Sequence, residues 1–159
     1  MYQGEWKDGM PHGNGCEFYN ATGSLRYKGQ FRETNWDGFG KKYTADGRKE
    51  IKGYWKDSYL TDPVLSKKDK ESNFKIRQED DGKIYVGQLD ERGQRHGFGG
   101  VYYRDSGSVG YEGMWKKGKK NGLGSSYYGL NDRDLANNVM YRGVYRENFK
   151  LRKQGTFYD

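Results

Sequence analysis

Tyr2-Gln3-Gly4-Glu5-Trp6 is the stretch on which the fold of this chain turns, because it keeps coming back. It returns as Tyr27-Lys28-Gly29-Gln30-Phe31, Ile51-Lys52-Gly53-Tyr54-Trp55, Tyr85-Val86-Gly87-Gln88-Leu89, Tyr111-Glu112-Gly113-Met114-Trp115 and Tyr141-Arg142-Gly143-Val144-Tyr145. The copies start at residues 2, 27, 51, 85, 111 and 141, and the two long steps mark insertions over 56–81 and 129–140. A second element follows four of the copies: His12-Gly13-Asn14-Gly15, Asp37-Gly38-Phe39-Gly40, His96-Gly97-Phe98-Gly99 and Asn121-Gly122-Leu123-Gly124. Aromatics come next, such as Phe18 and Tyr19 or Tyr102 and Tyr103, and then a turn such as Asp105-Ser106-Gly107.

A period of this length is the mark of a repeat architecture. Within each copy the spacing is that of a strand, where residues two apart share a face. Tyr2, Gly4 and Trp6 then point one way, and so do Tyr111, Gly113 and Trp115. The glycine between two aromatics leaves a slot for a ring from the neighbouring strand. In the second element Gly13 and Gly15 share a face, which lets a ring lie flat over the backbone. Each copy therefore predicts a β-hairpin that cannot bury its own aromatic face, and stacked copies bury it for one another. The expected fold is all-β, a single array of hairpins over 1–159.

The composition agrees with a thin sheet better than with a rounded core. Hydrophobic residues are 32% of the chain and mean hydropathy is −1.24, too little apolar stock for a round interior. Yet 15 Tyr, 7 Phe and 4 Trp stand beside only 2 Pro, which is not the composition of a disordered chain. A net charge of +7 favours acidic partners. Cys16 is the single cysteine, so no intrachain disulfide forms and a cytoplasmic setting is expected. No apolar run reaches the length of a membrane span.

The pattern Tyr-x-Gly-x-Trp/Phe, a short polar link, His-Gly-x-Gly and a turn before the next Tyr resembles the MORN repeat, over residues 2–56 and 82–159. That resemblance implies an elongated, twisted antiparallel sheet of stacked hairpins, solenoid-like, with an aromatic groove along it. It implies a protein-binding or dimerising scaffold, in ciliary, cytoskeletal or membrane-contact assemblies, and phospholipid binding is also attributed to such arrays. Departures from the pattern are local. Copy three has Ile51 in place of Tyr and no His-Gly-x-Gly after it, and Leu89 replaces the second aromatic of copy four. The chain opens inside a repeat and closes on 154–159, read as a half-finished second strand, so a piece of a longer array is expected.

Chemistry has few candidates. His12 and His96 align with Asp37 and Asn121 in the other copies. A position that accepts His, Asp and Asn needs only a polar group beside a glycine, and neither histidine has a nucleophile or second ligand at useful spacing. Gly38-Phe39-Gly40 and Gly97-Phe98-Gly99-Gly100 lack the Lys-Ser/Thr and helix start of a phosphate loop. No enzyme, cofactor or metal site is expected. A single-layer sheet cannot cover both faces, and exposed aromatic rows mark interaction sites. The expected partner-binding row is Tyr2, Trp6, Tyr27, Phe31, Trp55, Tyr85, Tyr111, Trp115, Tyr141 and Tyr145, taking a partner's helix or extended segment, with Lys116, Lys117, Lys119 and Lys120 as a basic rim. The alternative is a peripheral module that binds anionic phospholipid through those lysines. Nucleic acid is the less favoured partner, and self-association is open to such an array.

Overall fold

The computed structural model describes residues 1–45, 47, 50–128 and 139–158, apart from the side chains of Glu50 and Lys153. It is built almost wholly of antiparallel strands: β1 (Tyr2–Lys7), β2 (Met10–Phe18), β3 (Leu25–Arg32), β4 (Asn35–Tyr43), β5 (Glu50–Lys56) and β6 (Tyr59–Pro63), a short helix α1 (Lys67–Glu71), then β7 (Lys75–Gln78), β8 (Lys83–Leu89), β9 (Arg95–Tyr103), β10 (Val109–Lys116), β11 (Lys119–Tyr127), β12 (Val139–Arg146) and β13 (Phe149–Phe157). Strands β1 to β6 form one sheet in chain order, and β7 to β13 form a second, also in chain order. The chain accordingly divides into two compact units, Met1–Val64 with Arg104–Gly107, and Leu65–Tyr103 with Ser108–Asp159. Among the described residues no helix is long and apolar enough to cross a membrane.

Every expected copy is a hairpin, and five of the hairpins close in the same two-residue turn. Asp8-Gly9, Glu33-Thr34, Asp57-Ser58, Lys117-Gly118 and Glu147-Asn148 all have positive φ at both positions, the turn whose twist matches that of the flanking strands. Thr34, at φ 75°, is the strained member of the set. The stretch read as an insertion over 56–81 is ordered in part into strand. Tyr59–Pro63 is the second strand of copy three, pairing Trp55 with Leu60 and Gly53 with Pro63. It lacks the glycine pair, and Pro63 has no N–H to extend a ladder. The first sheet ends there, and α1 follows with a Ser66–Asp69 capping box. Of the insertion over 129–140, residues 129–138 lie outside the described residues, and Val139 and Met140 open β12. The C-terminal segment is a complete strand of 9 residues, β13, rather than half of one.

Tyrosine and glycine make one device in each complete copy. Tyr2, Tyr27, Tyr85, Tyr111 and Tyr141 each lie along their own strand, and each hydroxyl donates to the carbonyl three residues on, as from Tyr85 to Gln88 at 2.7 Å and from Tyr111 to Met114 at 3.1 Å. The ring lies over the paired glycines beneath it, so a Cβ on Gly40 would enter Tyr27 and a Cβ on Gly99 would enter Tyr85. The slot expected for a neighbour's ring is thus filled largely by the strand's own tyrosine. The first glycine of each pair has a different task. At Gly13, Gly38, Gly97 and Gly122 the backbone turns to positive φ, beside a register shift in the facing strand between Gly4 and Trp6, or between Gly113 and Trp115. In three copies a side chain braces this bulge: Glu5 accepts from the Asn14 amide, Gln30 from the Phe39 amide and Gln88 from the Phe98 amide, at 2.9–3.0 Å.

Copies are joined ring to ring. Four of the five tyrosines meet the second ring of the next copy edge-on, Tyr2 on Phe31 at 4.9 Å, Tyr27 on Trp55 at 5.7 Å, Tyr85 on Trp115 at 5.8 Å and Tyr111 on Tyr145 at 5.1 Å, the arrangement that ring quadrupoles favour.

Candidate functional site

The predicted aromatic row is the core of the two sheets. Tyr27, Phe31 and Trp55 in the first unit are buried, and so are Tyr85, Tyr111, Trp115, Tyr141 and Tyr145 in the second. Rings that shield one another have no surface left for a partner. Tyr2 is half-buried, and Trp6, on the edge strand β1, stays open at 59% exposure. The basic rim is reduced in the same way. Lys116, Lys117 and Lys119 are exposed, and Lys119 lies 3.7 Å from Glu147. Lys120 is not on the rim. It pairs with Trp115 inside the ladder, and its ammonium sits 4.6 Å above the centre of the Tyr111 ring and 5.7 Å from that of Tyr145. Burial, with Lys150 and Arg95 nearby, pushes its pKa down to about 8.

Apart from the edge strands, the opposite face also exposes apolar side chains, at the variable positions beside the glycines. In the second unit Phe98 on β9 stands directly opposite Met114 on β10, and Leu123 on β11 opposite Val144 on β12. Residues directly opposite in an antiparallel pair share a face, and Gly122 lies against Met114, which joins the two pairs into one row. Phe98, Met114 and Leu123 are 39%, 40% and 68% exposed, and Phe74 stacks on Phe98 at 6.3 Å. Lys116, Lys119 and Arg146 belong to the same face by strand alternation, along the turn side of the row. In the first unit the equivalent position pairs Asn14 with Gln30, then Phe39 with Tyr54, whose exposed rings meet at 5.4 Å. The repeat pattern hid these residues because it marks the constant positions, and these vary. The signal was available as aromatics and long aliphatics inside Gly-x-Gly, at Phe39, Phe98 and Leu123.

A cavity of about 250 Å³ in the first unit is lined by His12, Asn14, Gln30, Arg32 and Asp37, among others. Asp37 is paired with Lys56 at 2.6 Å, which holds its carboxyl below the usual range. Among the described residues no group of three or more His, Cys, Asp or Glu is placed to hold a metal ion.

A family model described as MORN repeat matches residues 2–21, 27–47, 85–109 and 111–129, more than half of the chain. No curated protein matches it.

Proposed function

This chain belongs to the MORN-repeat family, a non-catalytic repeat of protein- and membrane-binding scaffolds, and from that premise we propose that it holds a protein partner on the exposed face of its second sheet. The observation that carries the reading is the row Phe98, Met114, Leu123 and Val144, apolar side chains on four adjacent strands, of which the first three are exposed and Phe98 carries the Phe74 ring at one end. A row of this kind on an otherwise polar surface marks an interaction site, and its width suits the apolar stripe of a helix or an extended segment. Lys116, Lys117, Lys119 and Arg146 along the turns supply steering toward an acidic edge. The buried tyrosines set the strand spacing and take no part in contact. The proposed role is non-catalytic throughout, without cofactor or metal, in a cytoplasmic setting such as a cytoskeletal, ciliary or membrane-contact assembly. Cys16 without a cysteine partner agrees with a reducing compartment.

Photo-crosslinking from position 123 in cells tests this. A protein adduct that disappears when Met114 is changed to Glu supports the reading. Crosslinking from position 6 with none from position 123 overturns it. Co-sedimentation with phosphatidylserine vesicles, lost when Lys116, Lys117 and Lys119 become Glu and kept in Met114→Glu, would move the function to the membrane surface.

A further inference from the structure

We propose that the cavity of the first unit is a binding site for a small organic carboxylate, held by the Arg32 guanidinium. It is independent of the docking row on the second sheet. Its basis is the hydrogen-bonding capacity left over where the first two copies meet.

The cavity is lined from β2, β3 and β4, where the bulge glycines Gly13 and Gly38 leave the backbone bare of Cβ atoms. Its volume of about 250 Å³ lies below the about 300–1,000 Å³ of pockets for drug-sized ligands, so it suits a small molecule. The repeat does not dictate the chemistry found there. Among the described residues, four directly opposite pairs join successive copies at this position. Phe39–Tyr54, Phe98–Met114 and Leu123–Val144 are aromatic or aliphatic, and Asn14–Gln30 alone is a pair of amides. At Gly122 the neighbouring side chain is Met114, and at Gly38 it is the Gln30 amide. The other three junctions form the same ladder without two polar side chains.

What these side chains have left to offer is chiefly donors. The Asp37 carboxylate is taken up by Lys56 at 2.6 Å and by the Asp57 backbone N–H, with the Arg32 charge near it as well. The Gln30 Oε1 accepts from the Phe39 N–H at 2.9 Å, which leaves the Nε2 group. Asn14 gives its Nδ2 to Glu5 at 3.2 Å and keeps its Oδ1. Among the described residues the Arg32 guanidinium and the His12 ring make no hydrogen bond or ion pair within the chain. A guanidinium fork, an imidazole N–H and an amide NH2 therefore line one cavity uncommitted. The fork matches the two oxygens of a carboxylate. Charge then selects a monoanion. The Asp37 and Lys56 charges offset each other, and the Glu5 carboxylate lies close by, against Gly13 and Asn14. A dianionic phosphate would be repelled by both carboxylates, whereas a single carboxylate is matched by Arg32.

The probe is N-acetylglycinate, titrated into the whole chain while amide nitrogen–proton correlation spectra are recorded. Saturable shifts at the Gly13, Gln30 and Gly38 amides are expected, and the neutral N-acetylglycinamide should produce none. Arg32→Gln should weaken binding by roughly tenfold or more. Arg32→Lys keeps the charge without the fork and should weaken it less. Gln30→Met installs the residue found at the matching position of the second sheet, and should also lower affinity while the circular dichroism spectrum is unchanged. Lys116→Gln, at the second-sheet position equivalent to Arg32, should leave the titration as it was. A loss in Lys116→Gln equal to that in Arg32→Gln would reduce the effect to diffuse surface charge and overturns the proposal. So does the neutral amide bound as tightly as the acid, inorganic phosphate bound more tightly than the carboxylate, or no saturable shift with the probe at tens of millimolar.

Discussion

The two sheets build the same ring cradle and roof it with different chemistry. The roof is the residue registered against the second aromatic of each copy. In the first sheet it is Pro11, Trp36 or Leu60, and in the second Arg95, Lys120 or Lys150. Trp36 lies flat on Tyr27, 4.4 Å between centres and 4° between planes, and its indole N–H donates to Glu17 at 2.8 Å. Over Tyr85, Tyr111 and Tyr141 sit the Arg95 guanidinium at 5.6 Å and the Lys120 and Lys150 ammoniums at 4.6 and 5.4 Å. Long cationic side chains cover a ring with their stems while the charge meets its face. A sheet one layer thick can therefore exclude water from its rings without a second layer. The roof may be apolar or cationic because the cradle needs only cover.

The comparison is broken most severely at Trp36. Trp36→Ala removes a large buried roof and should cost about 4 kcal/mol in urea unfolding, whereas Lys120→Ala removes a partly solvated one and should cost about 1 kcal/mol. Equal losses would show that the two roofs do equivalent work. Titration sharpens the contrast next. Lys42, buried on the ring side of the first sheet with Arg26 also near, is pushed down to about 7, against the pull of Glu17, and Lys120 in the second sheet to about 8. Both folded values lie below the ordinary 10.5, so the unfolded chain binds the extra proton in between. Stability should then rise with pH from about 7 upward toward 10.5 and lie at its minimum for these groups below 7. Lys42→Met should flatten the slope from about 7, by on the order of 3 kcal/mol, and Lys120→Met only the part above about 8, by about 1 kcal/mol. Denaturant midpoints measured across that range check the sign, and a fall with rising pH would contradict both assignments. The smallest effect lies in the turns. Thr34→Gly relieves a β-branched residue at positive φ and should raise stability by about 1 kcal/mol, while Gly118→Thr at the matching turn of the second sheet should lower it by as much.

Much of this was legible in the residues. The copies at 2, 27, 51, 85, 111 and 141 mark the first strands of the hairpins, since a period of two with glycine between aromatics admits few other structures. The glycine that lets a ring lie on the backbone was readable at Gly15, Gly40, Gly99 and Gly124. The site was harder. Tyr27 and Tyr111 look like contact residues because aromatics are common in interfaces, and only the ring-to-ring chain between copies shows that they are spent on one another. Lys120 sits in a run of lysines, and nothing in that run distinguishes the one that folds back over Tyr111. The second strand of copy three was invisible because Tyr59–Pro63 carries no glycine pair.

Sequence alone determined the repeat, the hairpin and the pairing of each tyrosine with its glycines, because these rest on contacts within one or two strands and on backbone conformations open to glycine. Tertiary structure decided which face is spent on packing, where the ladder breaks into two sheets, and which side chains stand opposite one another. Those outcomes depend on the register between successive strands, which the turns and bulges set and where a shift of one residue would exchange the buried and exposed faces.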